Sequence, residues 1–107
     1  MTLKGVYEEP GKVYLVLQLL RGGNLLDYMV TKKCLSEPEA AAILRTIACT
    51  VAFLHENNVV HRDLKPANIL FADENHSPES VTICDMGFAK QVITIKYLII
   101  QALFKQI

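Results

Sequence analysis

The sequence predicts an α+β fold. Three observations carry that prediction. Two apolar runs near the N-terminus flank a Pro-Gly turn, one long segment places apolar residues at helical spacing behind a cap signal, and two more short apolar runs flank a polar turn. Taken in order, Leu3 to Tyr7 reads as a short strand and Glu8-Glu9-Pro10-Gly11 as a turn, since Pro presets φ at one corner and Gly tolerates the next. Val13 to Leu19 is apolar and β-branched and reads as a buried strand, pairing with the first as an antiparallel hairpin. Arg21-Gly22-Gly23-Asn24 breaks the strand, and a short helix runs from Leu25 to Met29 or a little beyond.

The strongest helix signal follows. Ser36 can cap it, Glu39 three residues on completes a capping box, and Pro38 sits in the first turn where its missing N–H costs nothing. Ala40, Ile43, Leu44, Ile47, Val51 and Leu54 then form one apolar face. Asn57-Asn58 ends the helix, because Asn accepts the left-handed conformation. Val59-Val60 is a short strand. Ile69 to Phe71 and Val81 to Cys84 form a second hairpin around the polar turn Asp73 to Glu79. After Gln91 the texture changes: Val92 to Ile107 is apolar, broken by Lys96 and Lys105, and periodicity does not decide between strand and helix.

Composition narrows the function classes. The chain has 107 residues, enough for one small domain, and 51% apolar with 21% charged residues excludes intrinsic disorder. Lys plus Arg and Asp plus Glu both number 11, and no basic stripe appears, which argues against binding nucleic acid through bulk charge. Cys34, Cys49 and Cys84 have neither metal-site nor disulfide-framework spacing and read as reduced thiols of an intracellular protein. His55 and His76 lack ligand spacing and read as surface residues. The start of the chain has no secretory h-region, and no apolar run is long enough to span a bilayer.

Two polar clusters at strand ends carry the chemistry. The first is His61-Arg62-Asp63-Leu64-Lys65-Pro66-Ala67-Asn68; the second is Asp85-Met86-Gly87. Asp63, Asn68 and Asp85 offer hard oxygen donors of the kind Mg²⁺ takes, and Lys65 adds a point charge suited to a phosphate. The bland alternatives are a capping or surface Asp63 and a solvated surface Lys65.

The first cluster matches the H-R-D-L-x-x-x-N catalytic-loop signature of protein kinases at every fixed position. The second matches D-F-G at two of three, with Met86 in place of Phe. Leu3-Lys4-Gly5-Val6-Tyr7, Arg21 to Asp27, Ser36-Glu37 and Ile83 to Gln91 further resemble the C-terminal, calmodulin-dependent-kinase-like domain of the MAP-kinase-activated ribosomal-protein kinases. The resemblance covers residues 1–91 as a partial kinase domain and leaves 92–107 as an apolar tail that does not match. It implies a partial protein-kinase-like fold: the last small-lobe strands plus the first half of the helical large lobe.

The same resemblance implies roles. Asp63 is the base that accepts the substrate hydroxyl proton, and Lys65 meets the transferred phosphate. Asn68 and Asp85 hold Mg²⁺ and through it ATP. Backbone groups of Gln18 and Leu20 contact adenine, with Leu17 behind it. Gln18 and Asn24 stand where related kinases carry Glu. His61 is a packing residue and Arg62 pairs with a phosphorylated activation loop; Cys84, just before Asp85, reads as a buried inert thiol rather than one at the nucleotide pocket. Lys65 after Leu64 points to Ser/Thr specificity. The family's glycine-rich loop, V-A-I-K lysine and A-P-E motif do not occur in these residues.

The implied function is that of a segment of an ATP- and magnesium-dependent protein serine/threonine kinase, inactive as an isolated chain. The alternative is a non-catalytic, kinase-derived module that binds a partner or competes with an intact kinase. The partners implied are a Ser/Thr-containing protein substrate for the completed enzyme and a protein covering exposed apolar surface. Neither nucleic acid nor a membrane span is expected, and the expected location is intracellular, in the cytoplasm or nucleus.

Overall fold

A computed structural model describes residues 1–92; the tail expected from its apolar texture lies, from residue 93 on, outside the described residues. The two N-terminal runs form β1 (Leu3–Glu9) and β2 (Lys12–Leu17), an antiparallel hairpin closed at Pro10-Gly11 with Tyr7 opposite Tyr14. Gly11 takes φ 78° at the corner, which is the reason glycine stands there. The expected burial of the second strand is corrected: all six β2 residues are exposed, Val13 at 62% and Leu15 at 60%. Apolar, β-branched content sets the strand, but no described element covers it closely enough to bury it.

The first helix, α1 (Leu25–Lys32), is capped by Asn24, whose Oδ1 accepts from the Asp27 backbone N–H at 2.8 Å. Its partner is α2 (Glu37–Glu56). Ser36 Oγ accepts from the Glu39 N–H at 3.4 Å, as expected, but the reciprocal half of the capping box is corrected. The Glu39 carboxylate turns instead to Lys32 Nζ at 2.6 Å and accepts from Tyr28 Oη at 2.6 Å. A charge-assisted bond to Lys32 outcompetes the bond back to the cap, and it ties the two helices together. Along α2, Ile43 and Ile47 are buried while Leu44 is 63% exposed, a correction to the face expected from spacing. Leu44 lies one residue, about 100° of helical turn, from Ile43 and falls outside the stripe. Asn58 leaves the helix with φ 58°, the left-handed exit expected of Asn.

After α2, β3 (Val59–Val60) pairs antiparallel with β6 (Lys90–Gln91), a pairing too short and polar to read in the sequence. The second hairpin is β4 (Ile69–Phe71) with β5 (Val81–Ile83), Ile69 opposite Ile83. Its inner residues join Leu25, Ile43 and Ile47 in one core, with Phe71 fully buried at the centre. Burying such a side chain contributes roughly 1.5–3 kcal/mol. His76 corrects the expectation of a surface residue: its ring stacks on Tyr28 at 4.6 Å and meets Phe71 edge-on at 5.1 Å. Gly22 fits against this hairpin without a side chain; a Cβ there would overlap the Asp73 carbonyl.

Candidate active site

The site is built where β3 ends and where the β4–β5 sheet begins. His61 follows β3 and is buried. Its Nδ1 accepts from the Asp63 N–H at 3.2 Å, so Nε2 carries the hydrogen and donates to the Cys84 carbonyl at 2.9 Å. The two polar clusters, twenty-odd residues apart in sequence, are thereby pinned together.

Asp63 Oδ2 accepts from two donors at 2.8 Å, Lys65 Nζ and Asn68 Nδ2. Asn68 Nδ2 also reaches the Asp63 carbonyl at 2.9 Å. The positive charge of Lys65, seconded by the Asn68 amide, holds the Asp63 carboxyl below its ordinary range despite some desolvation. Asp63 is therefore a carboxylate at neutral pH, as a proton acceptor must be. Pro66–Asn68 forms a 3-10 turn that lifts Asn68 to the end of β4.

Sheet register does the rest. Ile69 faces Ile83, and the Cys84 N–H donates to the Asn68 carbonyl at 2.8 Å, so Asn68 and Asp85 leave the same end of the sheet. Asp85 sits at φ 60°, ψ 75°, and its Oδ1 accepts from the Gly87 N–H at 3.2 Å. Asn68 spends its amide nitrogen on Asp63, which presents the amide oxygen as its remaining polar atom. That oxygen and the exposed Asp85 carboxylate are two hard donors at the same end of the sheet. They fit magnesium, which keeps most of its waters and shares phosphate oxygens rather than filling an all-protein cage. No group of three or more His, Cys, Asp or Glu side chains that could hold a metal ion gathers among the described residues.

A cavity of about 840 Å³ opens beside Asp85, walled by Leu3, Leu15 and Leu17 of the hairpin, Phe53 of α2 and Ile83 of β5. Its walls are apolar and Asp85 is its charged edge, a fit to a flat apolar base joined to an anionic group held by a cation. Leu17 lines it. Gln18 and Leu20 lie past the end of β2 and do not; the Gln18 N–H donates to the Thr2 carbonyl at 2.8 Å. The structure thus bonds Asp63 to Lys65 and Asn68, sets Asp85 at the same end of the sheet as Asn68, and keeps Gln18 and Leu20 outside the cavity wall. Cys84 is buried, and burial pushes its thiol up, away from reactivity. Arg62 was the residue whose partner the sequence concealed: its Nε donates to the Phe88 carbonyl at 2.6 Å. A main-chain acceptor leaves no trace in residue identity.

Comparison with known proteins shows the family. The protein kinase domain family matches residues 1–100. The chain is 56% identical over 92 residues to ribosomal protein S6 kinase alpha-2 of Mus musculus, covering 86% of this chain and 13% of that protein. It is 55% identical over 92 residues to ribosomal protein S6 kinase 2 beta of Xenopus laevis and to ribosomal protein S6 kinase alpha-3 of Homo sapiens, again over 86% of this chain and over 15% and 12% of those proteins. The chain therefore spans a small fraction of the length of the relatives it matches. With the catalytic-loop signature formed around Asp63 and a family match over nearly its whole length, the chain belongs to the protein kinase family and carries part of a serine/threonine-type kinase domain.

Proposed function

We propose that these residues are the catalytic-loop segment of an ATP- and magnesium-dependent serine/threonine kinase. The observation that carries the proposal is the Asp63 carboxylate, held charged by Lys65 and Asn68 beside the Asn68–Asp85 oxygen pair. Magnesium-bound ATP, when present, supplies the phosphoryl group and neutralises its charge. Asp63 orients a substrate hydroxyl and accepts its proton. Lys65, bonded to Asp63, stabilises the negative charge that develops on transfer. Asn68 and Asp85 hold the cation, Leu17 backs the base, and backbone groups of Gln18 and Leu20, which lie outside the cavity wall, contact its edge. Residues 1–91 form the kinase-like part and 92–107 a divergent tail, although the family match itself extends to residue 100.

As a separate chain the segment is inactive, because positioning supplies most of the rate and these residues hold only part of the phosphate-binding machinery. The partners are a Ser/Thr-containing protein for the completed enzyme and a protein covering the exposed hairpin, and the location is intracellular. A second reading, a non-catalytic module that engages a partner through apolar surface, is favoured by the fully exposed β2 strand. The test is an NMR titration of the chain with millimolar ATP, with and without Mg²⁺. Magnesium-dependent shifts at Leu17, Asp85 and Gly87, losing that dependence in Asp85→Ala, support the site. Shifts absent from these residues contradict it.

A further inference from the structure

The cavity beside Asp85 is walled by the hairpin at Leu3, Leu15 and Leu17 and by α2 at Thr50, Phe53 and Leu54. Leu3, Leu15 and Phe53 are each more than half exposed, at 54, 60 and 63%. A two-stranded hairpin is marginal by itself, so whatever seats on these side chains also fastens the hairpin to α2. The last described residue lies beside the α2 wall. The Val92 N–H donates to the Asn58 carbonyl at 2.8 Å, and Asn58 follows Leu54 by about one helical turn of chain. Residues 93–107 continue from that point. In sequence, Ile93, Tyr97, Ile100, Phe104 and Ile107 recur at the four-three spacing of one helix face, and Thr94, Gln101 and Lys105 fall together on another. Lys96 and Lys105 are the charged side chains of this segment, and it carries no Asp or Glu. The charged edge of the cavity is the exposed carboxylate of Asp85, so the two match in charge as well as in apolar character.

We propose that residues 93–107 are the partner of this cavity: as a helix, the segment seats its apolar row on Leu15, Leu17 and Phe53 and turns a lysine toward Asp85. Amphipathic helices dock in apolar grooves through anchors at this spacing. A strand laid across an apolar cavity would leave its N–H and C=O groups without partners, whereas a helix bonds its own. As a helix the segment is about 22 Å long, and it starts at the α2 wall. Its tether favours it over a second copy, because a short link holds it at an effective concentration of roughly millimolar order. Tyr14 and Val16 point to the opposite face of β2 and stay exposed, so copies still associate through them. The docking needs neither nucleotide nor metal, although the apolar row and a base would share Leu17.

The test is methyl NMR on the full chain without ATP or Mg²⁺, so its outcome is independent of the nucleotide reading. Nuclear Overhauser contacts are expected from the Tyr97 and Phe104 rings to the methyls of Leu15, Leu17 and Ile83, which line the cavity. They should persist when the chain is diluted into a large excess of its deuterated self. Absence of these contacts overturns the proposal. Contacts that fade on that dilution also overturn it and assign the cavity to a second copy. Phe104→Ser should shift the cavity methyls and leave Ile43, in the core, in place; Gln101→Ala, on another face of the segment, should leave both in place. Cavity methyls that stay put in Phe104→Ser, or move as far in Gln101→Ala, overturn the seating. Where Ile43 moves as well, the contacts in the native chain decide.

Discussion

Asp63 accepts from Lys65 and Asn68, which favour its charged form over the opposing desolvation, and that makes a pH prediction possible. Its folded-state carboxyl lies below the ordinary range, chiefly because of Lys65. A depressed carboxyl contributes stability that is present above its unfolded value and is lost as pH falls through the folded one. Lys65→Met removes the largest cause. The stability gap between native and variant, from urea unfolding at several pH values, should therefore be present at neutral pH and close in acid; a gap constant with pH contradicts the assignment. The Asp63 carboxyl resonance should titrate higher in the variant. Residues of this kind were legible in the sequence because a fixed spacing of side chains encodes them. The Arg62–Phe88 bond was not, since its acceptor is backbone. Gln18 and Leu20 carried expectations of backbone contacts, which sequence likewise cannot display, and the cavity wall stops at Leu17.

Among the elements, the α1–α2 corner and the second hairpin hold the site in place. Phe71 is fully buried between them. Phe71→Ala should cost about 3–5 kcal/mol in chemical unfolding, and a loss under about 1 kcal/mol would mean the site collapses readily around the void. Gly22→Ala should cost roughly 1–3 kcal/mol, because the methyl meets the rigid Asp73 carbonyl rather than a movable side chain; an unchanged midpoint would show that the backbone yields. The start of α2 was readable, since Ser36 caps it as expected, whereas the Asn24 cap of α1 was not drawn from the sequence. The role of Glu39 was not readable, because Lys32 seven residues earlier competes for it through tertiary approach. In the same way the Leu44 position fits a loose helical period but misses the buried stripe, and only the direction of the neighbouring hairpin decides which flank is covered. The β3–β6 pair has two residues a side, below what periodicity can detect.

Over the whole molecule, apolar surface and catalytic geometry pull apart. The core around Phe71 is closed, yet Val13, Leu15, Val16 and Leu17 on β2, with Phe53 on α2, remain open to solvent. Leu15, Leu17 and Phe53 line one open cavity, and a two-stranded hairpin is marginal by itself. The isolated chain is expected to self-associate, with a sedimentation coefficient that rises with concentration; a monomer over the whole range contradicts this. Fold class was legible because strand and helix periods are local, whereas burial of β2 depends on what lies across from it, which a local pattern does not contain. The central claim is that these residues form a working phosphoryl-transfer loop. The most direct measurement replaces the matched 92 residues of mouse ribosomal protein S6 kinase alpha-2 with those of this chain and follows phosphate transfer to a serine peptide. The account predicts transfer that Asp63→Asn lowers by about 10²–10⁴-fold, the usual worth of a positioned base. Transfer that is absent from the chimera, or equal with and without Asp63, would contradict it.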